Sequence, residues 1–196
     1  MNRLDSICVF CGSSPGNDPK LLAEAEQLGK TLAIQQIKLV YGGAKIGVMG
    51  AVANGVLRNN GSAIGVIPDF LKKKEVVHLG LTELITTRNM HERKLQMHEL
   101  SDGFVTLPGG FGTLEELFEI ITWAQLGLHQ KPIGLLNING FYDHLLAMLQ
   151  NMVDAQLLKP ENMELLIVDS SINNLLEKMY KFEPSNTPKW LNVDQT

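Results

Sequence analysis

The sequence is sparing in cysteine, in charge and in aromatic residues. Charged residues make up 19% of 196, and the formal net charge is −4. An average globular protein carries about 25% charged residues. An acidic balance without a basic face argues against bulk nucleic-acid binding. No apolar run approaches the ~20 residues of a membrane span. The opening stretch MNRLDSICVF lacks a basic segment followed by a long apolar one, so no signal peptide is expected. The expectation is a soluble, cytoplasmic protein that binds neither nucleic acid nor membrane. Both cysteines fall in Cys8-Val9-Phe10-Cys11. That run reads as a strand, where residues three apart point to opposite faces. A zinc site would need further ligands, and there is no second Cys pair. Two small buried thiols are expected there, and no metal.

What is present is apolar material and glycine. Hydrophobic residues reach 44%, enough to exclude disorder over most of the length. Eighteen glycines are about 9% of the chain, above the usual ~7%. Apolar strand-like runs alternate with helical patterns. Strands are predicted at Ser6–Cys11, Lys38–Tyr41, Ala63–Ile67, Leu84–Thr87, Gly103–Leu107, Pro132–Asn137 and Leu165–Val168. Helices are predicted over about Pro19–Gln35, Val48–Asn59, Met90–Leu100, Thr113–Leu126, Tyr142–Ala155 and Ile172–Lys181. Continuous apolar strands alternating with helices predict an α/β fold, a Rossmann-like doubly wound parallel sheet with helices on both faces. No linker or repeat is visible, so residues 1–182 read as one nucleotide-binding domain. Residues 183–196 read as a loosely structured tail.

Half of the glycines fall in three loops, each after a predicted strand. These are Gly12-Ser13-Ser14-Pro15-Gly16, the stretch from Gly42 to Gly50, and Pro108-Gly109-Gly110-Phe111-Gly112-Thr113. All would lie where such sheets bind ligands, beyond the carboxyl ends of the strands. Glycine lets backbone N–H groups turn toward an anion, and the next helix N-terminus adds partial positive charge. A phosphate is the expected guest. Neither a Walker A sequence nor a dinucleotide fingerprint fits, which favours a mononucleotide or sugar phosphate. Tight strand-to-helix turns would also use glycine.

Two charged residues stand out. Arg93 falls on the apolar stripe formed by Met90, Met97 and Leu100. Either its stem packs and its head reaches water, or its planar fork holds an anion at the crevice. His91 and His98 read as structural or solvent-facing. Glu116 fits a capping box with Thr113 as N-cap. It could also address the sugar of a ligand whose phosphate the glycine loop holds. Lys72–Lys74 reads as a solvated loop face.

The nine residues Pro108–Glu116 have the form P-G-G-x-G-T-x-x-E. Met90-His91-Glu92-Arg93-Lys94 precedes them, with Cys11-Gly12-Ser13-Ser14 and Tyr41-Gly42-Gly43 upstream. Together they resemble the Lonely-guy family of cytokinin riboside 5′-monophosphate phosphoribohydrolases. Ala44 stands where that family often has a third glycine. The resemblance implies a Rossmann-like homodimer that hydrolyses the N-glycosidic bond of AMP-type nucleotides, without a cofactor, to free base and ribose 5-phosphate. By the same resemblance Arg93 and Glu116 match the catalytic pair. Glu75, Lys94, Gly110, Phe111, Gly112, Thr113 and Thr122 match substrate-contacting positions, and Ser13, Gly43, Gly109 and Glu115 are further candidate substrate-binding residues. On pattern alone Thr122 is an ordinary mid-helix residue.

Two other functions compete. One is a non-catalytic nucleotide or cofactor carrier of the same fold, since molybdenum-cofactor carriers are similar. The other is amino-acid decarboxylation, a label given to many relatives, which normally needs an electron sink such as pyridoxal phosphate. No pattern here argues for one. The predicted helix Thr113–Leu126 is apolar around much of its circumference, as a deeply buried helix or one at a subunit interface would be.

Overall fold

The computed structural model describes residues 4–72 and 77–183. Within them seven strands form one sheet: β1 (Ser6–Phe10), β2 (Lys38–Tyr41), β3 (Ala63–Pro68), β4 (Glu83–Thr87), β5 (Gly103–Thr106), β6 (Ile133–Leu136) and β7 (Leu166–Asp169). Every pairing is parallel, and the order is β4-β3-β2-β1-β5-β6-β7. Each predicted strand is present within one or two residues. The helices are α1 (Pro19–Ile34), α2 (Gly47–Leu57), α3 (Asp69–Lys72), α4 (Met90–Glu99), α5 (Phe111–Gln125), α6 (Asp143–Asp154), α7 (Pro160–Met163) and α8 (Ile172–Tyr180). The single turns α3 and α7 and the 3-10 turn Ile138–Gly140 are too short to leave a periodic signal.

Alternation along β1 divides the interior. Ile7, Val9 and Cys11 join the layer that α1, α2 and α8 cover. Cys8 and Phe10 face the layer under α4, α5 and α6. Both cysteines are thus buried, free thiols in different layers, as expected. From β1 the chain runs outward through β2, β3 and β4, then returns past β1 to β5. That reversal opens a crevice at the carboxyl ends of β1 and β5, the usual ligand site of such sheets. The glycine loops follow β2, β1 and β5, three neighbours in the sheet.

Local chemistry explains where two helices begin. Asp18 caps α1 by accepting from Lys20 N at 2.9 Å, and Pro19 stands at the first helical position. Asn89 caps α4 by accepting from Glu92 N at 2.9 Å, while the Glu92 carboxylate accepts from Arg88 N at 2.7 Å. The expectation for α5 is corrected. It begins two residues earlier than predicted, with Gly110 as N-cap and no side-chain cap. Thr113 therefore lies inside the first turn and is 4% exposed, and Glu116 is released from a capping role. The expected contact Glu75, Lys73 and Lys74, and the tail beyond Glu183 lie outside the described residues.

Candidate active site

The three glycine loops touch one another. Gly12 N donates to Pro108 O at 3.3 Å, and Met49 N donates to Gly12 O at 3.2 Å. Gly47 has φ +62°, and a methyl group there would strike the Ser13 carbonyl. Ala44 is absent from the positive-φ residues, so its side chain adds no backbone strain. Behind the loops the buried Tyr142 hydroxyl donates to Leu107 O at 2.7 Å, pinning the end of β5 just before Pro108.

Between these loops and α4 lies a cleft of about 330 Å³. Arg93, Glu115, Glu116, Ser13, Gly110, Phe111, Gly112 and Thr113 all line it. A second recess, of about 300 Å³, shares Gly12, Ser13 and Gly110 with it and also holds Gly109. The structure therefore brings most of the expected site residues together. Gly43, with φ +82°, sits behind the cleft wall against Gly65 and Leu84. Thr122 does not join the cleft; its hydroxyl donates to Phe118 O at 2.7 Å within α5. Lys94 is turned about 100° around α4 from Arg93 and lines an outer groove with Trp123 and Glu119.

At the mouth of the cleft the start of α5 is open. Its first N–H groups have no intrahelical partners by geometry, Gly110 offers no capping side chain, and no acidic residue occupies the first turn. A Cβ at Gly110 or Gly112 would meet nothing within 4 Å. Such an open helix start is chemically suited to an anion. Phe111, 93% exposed, flanks it.

Arg93 is 7% exposed, which removes the expectation that its head snorkels to water. Among the described residues no carboxylate pairs with it. Its Nε has no hydrogen-bond partner, and Nη1 lies 3.9 Å from Met90 Sδ. A methyl group on Gly42 would collide with the guanidinium, so this glycine makes room for it. A buried guanidinium without a carboxylate partner is costly, and the open cleft offers its natural complement, an anion. Burial pushes the Glu116 carboxyl up to about 7. Arg93 and Lys94 pull it down, and Glu115 and Glu119 push it further up. A pKa raised in this way marks a carboxyl suited to proton transfer near neutrality. Among the described residues no group of side chains could hold a metal ion.

Sequence reasoning placed Met90 and Met97 on the stripe of Arg93 without showing what they face. Both line the cleft, as does Met49, giving it a soft, apolar wall suited to a flat ring. Only the fold reveals Met49 here, because its neighbours in space come from β1 and α4.

A protein-family model described as "Possible lysine decarboxylase" matches residues 49–179. A cytokinin riboside 5′-monophosphate phosphoribohydrolase of Arabidopsis thaliana is 42% identical over 183 residues, 93% of this chain and 84% of that protein. The chain belongs to this phosphoribohydrolase family. A second Arabidopsis thaliana member with the same name is 42% identical over 185 residues, 94% of this chain and 81% of that one. Among solved structures, the molybdenum cofactor binding protein of Rippkaea orientalis superposes with a TM-score of 0.68 at 26% identity, covering 92% of this chain and 98% of that one. The molybdenum cofactor carrier protein of Chlamydomonas reinhardtii has a TM-score of 0.66 at 20% identity, over 92% and 100%. That likeness shows the fold alone. The family match spans Arg93 and Glu116, whereas Ser13 and Gly43 precede it.

Proposed function

We propose that the chain hydrolyses the N-glycosidic bond of an AMP-type nucleotide, releasing free base and ribose 5-phosphate. One observation carries this reading: an uncapped helix N-terminus, a buried guanidinium without a carboxylate partner and a carboxyl whose pKa burial raises line the same cleft. The 5′-phosphate accepts from the N–H groups of Phe111, Gly112 and Thr113. Phosphate binding energy then holds the ribose in place for reaction. The base lies against the methionine wall. As the bond between C1′ and the base nitrogen loosens, positive charge grows on the sugar. Glu116 stabilises that charge, orients the ribose hydroxyls or takes a proton from the attacking water. Water supplies the hydroxyl to C1′, and the departing nitrogen ends with a proton. Arg93 holds an anionic group of the substrate or orients Glu116. No step calls for a metal or an organic cofactor.

A homodimer is part of this proposal. On α5, Leu117, Ile120 and Ala124 are buried in the core. Phe118 is 38% exposed and Leu95 of α4 is 36% exposed, and Leu95 and Trp123 line the outer groove. Aromatic and aliphatic groups on one outer face fit a second copy. A cytoplasmic location is proposed too, since free thiols persist in a reducing compartment.

The family description names a decarboxylase, but the relatives at 42% identity are named phosphoribohydrolases, and the second name fits the cleft. The likeness to a molybdenum cofactor binding protein keeps a carrier function as the second reading. Incubating the purified protein with AMP and N6-isopentenyl AMP separates them. Release of base and ribose 5-phosphate, with an inflection in kcat/KM near pH 7 that Glu116→Gln abolishes, is expected. Tight binding without product supports the carrier.

A further inference from the structure

The cleft wall holds two kinds of sulfur, one thiol and three thioethers. Cys11, Met49, Met90 and Met97 all line it. A cysteine reacts with oxidants as its thiolate. Burial pushes the Cys11 thiol far above its ordinary range, and Glu116 adds to the rise. Cys8 is raised in the same way, chiefly by burial. Both cysteines are therefore inert. A thioether has no proton to lose, so access decides its reactivity. Met97 is 2% exposed and Met49 8%, whereas Met90 is only partly buried. Met90 is thus the reactive sulfur of the cleft wall.

Met90 is also the methionine that touches Arg93. The two stand three residues apart at the start of α4, on one face of the helix. Arg93 Nη1 donates to Met90 Sδ at 3.9 Å, and a thioether is a weak acceptor. Nε has no partner, and Gly42 leaves room beside Nη2, which a methyl group there would strike. The guanidinium therefore keeps its donors for a ligand. A sulfoxide oxygen changes that balance, because it is polar and accepts strongly where the thioether did not. A charge-assisted N–H···O bond of about 2.8 Å, added to one S–O bond and bent at the oxygen, spans roughly the gap between Sδ and Nη1.

We propose that Met90 is a redox-modification site: peroxide converts its thioether to the sulfoxide, whose oxygen binds the Arg93 guanidinium and takes it from the anionic substrate. The activity readout rests on the hydrolase reading above. In the reaction a sulfur lone pair forms the S–O bond as the O–O bond of hydrogen peroxide breaks. Sulfur is oxidised by two electrons and the peroxide is reduced. The proton on the transferred oxygen passes to the departing hydroxide, giving water. The change is reversible, since methionine sulfoxide reductases return the thioether. The cleft would then fall silent under oxidation without loss of the fold.

The test treats the wild type, Met90→Leu and Met148→Leu with hydrogen peroxide and maps sulfoxides by peptide mass spectrometry. AMP hydrolysis by each protein is compared with its own untreated activity. Met148 on α6 is 56% exposed and lies outside the cleft, so it reports oxidation without the switch. In the wild type and Met148→Leu, kcat/KM is expected to fall about tenfold as Met90 sulfoxide accumulates, the scale of one diverted charge-assisted hydrogen bond. Treated Met90→Leu stays within about twofold of its own starting value. The two stereospecific reductases together restore the treated wild type. A merely disturbed cleft would also lose activity, so the guanidinium is read directly. Nitrogen NMR of the treated wild type should show the Arg93 Nη–H signals shifted and slowed in exchange with water, and that of Met90→Leu should not. Unmoved signals in protein carrying Met90 sulfoxide overturn the proposal. So does equal loss of activity in Met90→Leu, or a Met90 that stays unoxidised while Met148 is converted. Should Met90→Leu fail to fold, the wild type decides alone: recovery with the reductases must follow the loss of sulfoxide at Met90 and not at Met148. If the untreated wild type releases no base, the hydrolase reading fails. The switch is then judged by AMP affinity, which oxidation must weaken about tenfold, and an unchanged affinity overturns it.

Discussion

Two helix pairs flank the sheet, and they are built on opposite plans. Helices α1 and α2 meet backbone to backbone. A methyl group on Gly29 would strike the Val52 carbonyl, and one on Gly55 would strike that of Glu26. Leu28, Leu32, Val52 and Val56 are fully buried around that contact. Charge enters only at the rim, where Arg58 pairs with Glu26 at 2.6 Å between two well-exposed side chains. Helix α4 buries little besides Arg93 and Met97. It meets α5 through Lys94 and two glutamates, Glu115 and Glu119. The first pair supplies cohesion. The second holds a cation without a carboxylate partner and a carboxyl reluctant to ionise, arrangements that cost stability and persist at functional sites.

The sharpest way to test the contrast is to neutralise the second pair. Glu116→Gln is expected to reduce turnover by about 10²–10³-fold, the scale of losing one preorganised charge-stabilising group. Stability should hold or rise. The folded-state pKa of Glu116 lies near 7, above its ordinary 4.5, so the folded form favours the proton. Its contribution to stability is full below about 4.5 and is lost as pH rises through about 7. Urea unfolding at pH 8 should therefore find the Gln variant no weaker than the wild type. Gly55→Ala should do the reverse, lowering stability by about 1–3 kcal/mol by overpacking. Activity per folded molecule should not change. A Gly55→Ala protein that keeps its denaturation midpoint but loses turnover breaks the comparison.

A smaller effect comes from the layer beneath the second pair. His98 stacks on Phe104 and meets Trp123 edge-on, and both its ring nitrogens are buried without partners. Burial lowers His98 to about 3 and His129 to about 4. The unfolded chain takes up these protons near 6.5, while the folded one resists until much lower. Their contribution to stability is thus present above about pH 6.5 and lost as pH falls toward 4. A melting temperature that falls between pH 7 and pH 5, and falls less in His98→Phe, is the expected result.

Much of this was legible in the residues because it is periodic or local. The seven strands are continuous apolar runs, and the glycine loops mark their carboxyl ends. Arg93 was visible as a cation on the Met90–Met97 stripe. The start of α5 was misjudged because Thr113 and Glu116 match a capping box. Gly110, three residues before the predicted start at Thr113, gives no propensity signal for a helix. Lys94 illustrates a different limit. Its partners lie 21 and 25 residues away, on a helix whose facing is fixed only by tertiary packing. His98 gave no hint of its burial, since its ring packs against residues from β5 and α5.

The glycines of α1 and α2 are needed by the protein itself, whereas Gly110 and Gly112 are not. A side chain at either would find empty space, and neither backbone adopts a positive φ. Alanine at Gly112 should even gain a few tenths to about 1 kcal/mol of helix propensity. A thermostability screen would accordingly favour Gly112→Ala, and an assay with AMP would reject it. An engineer guided by melting temperature alone would improve this molecule by filling the space its substrate needs.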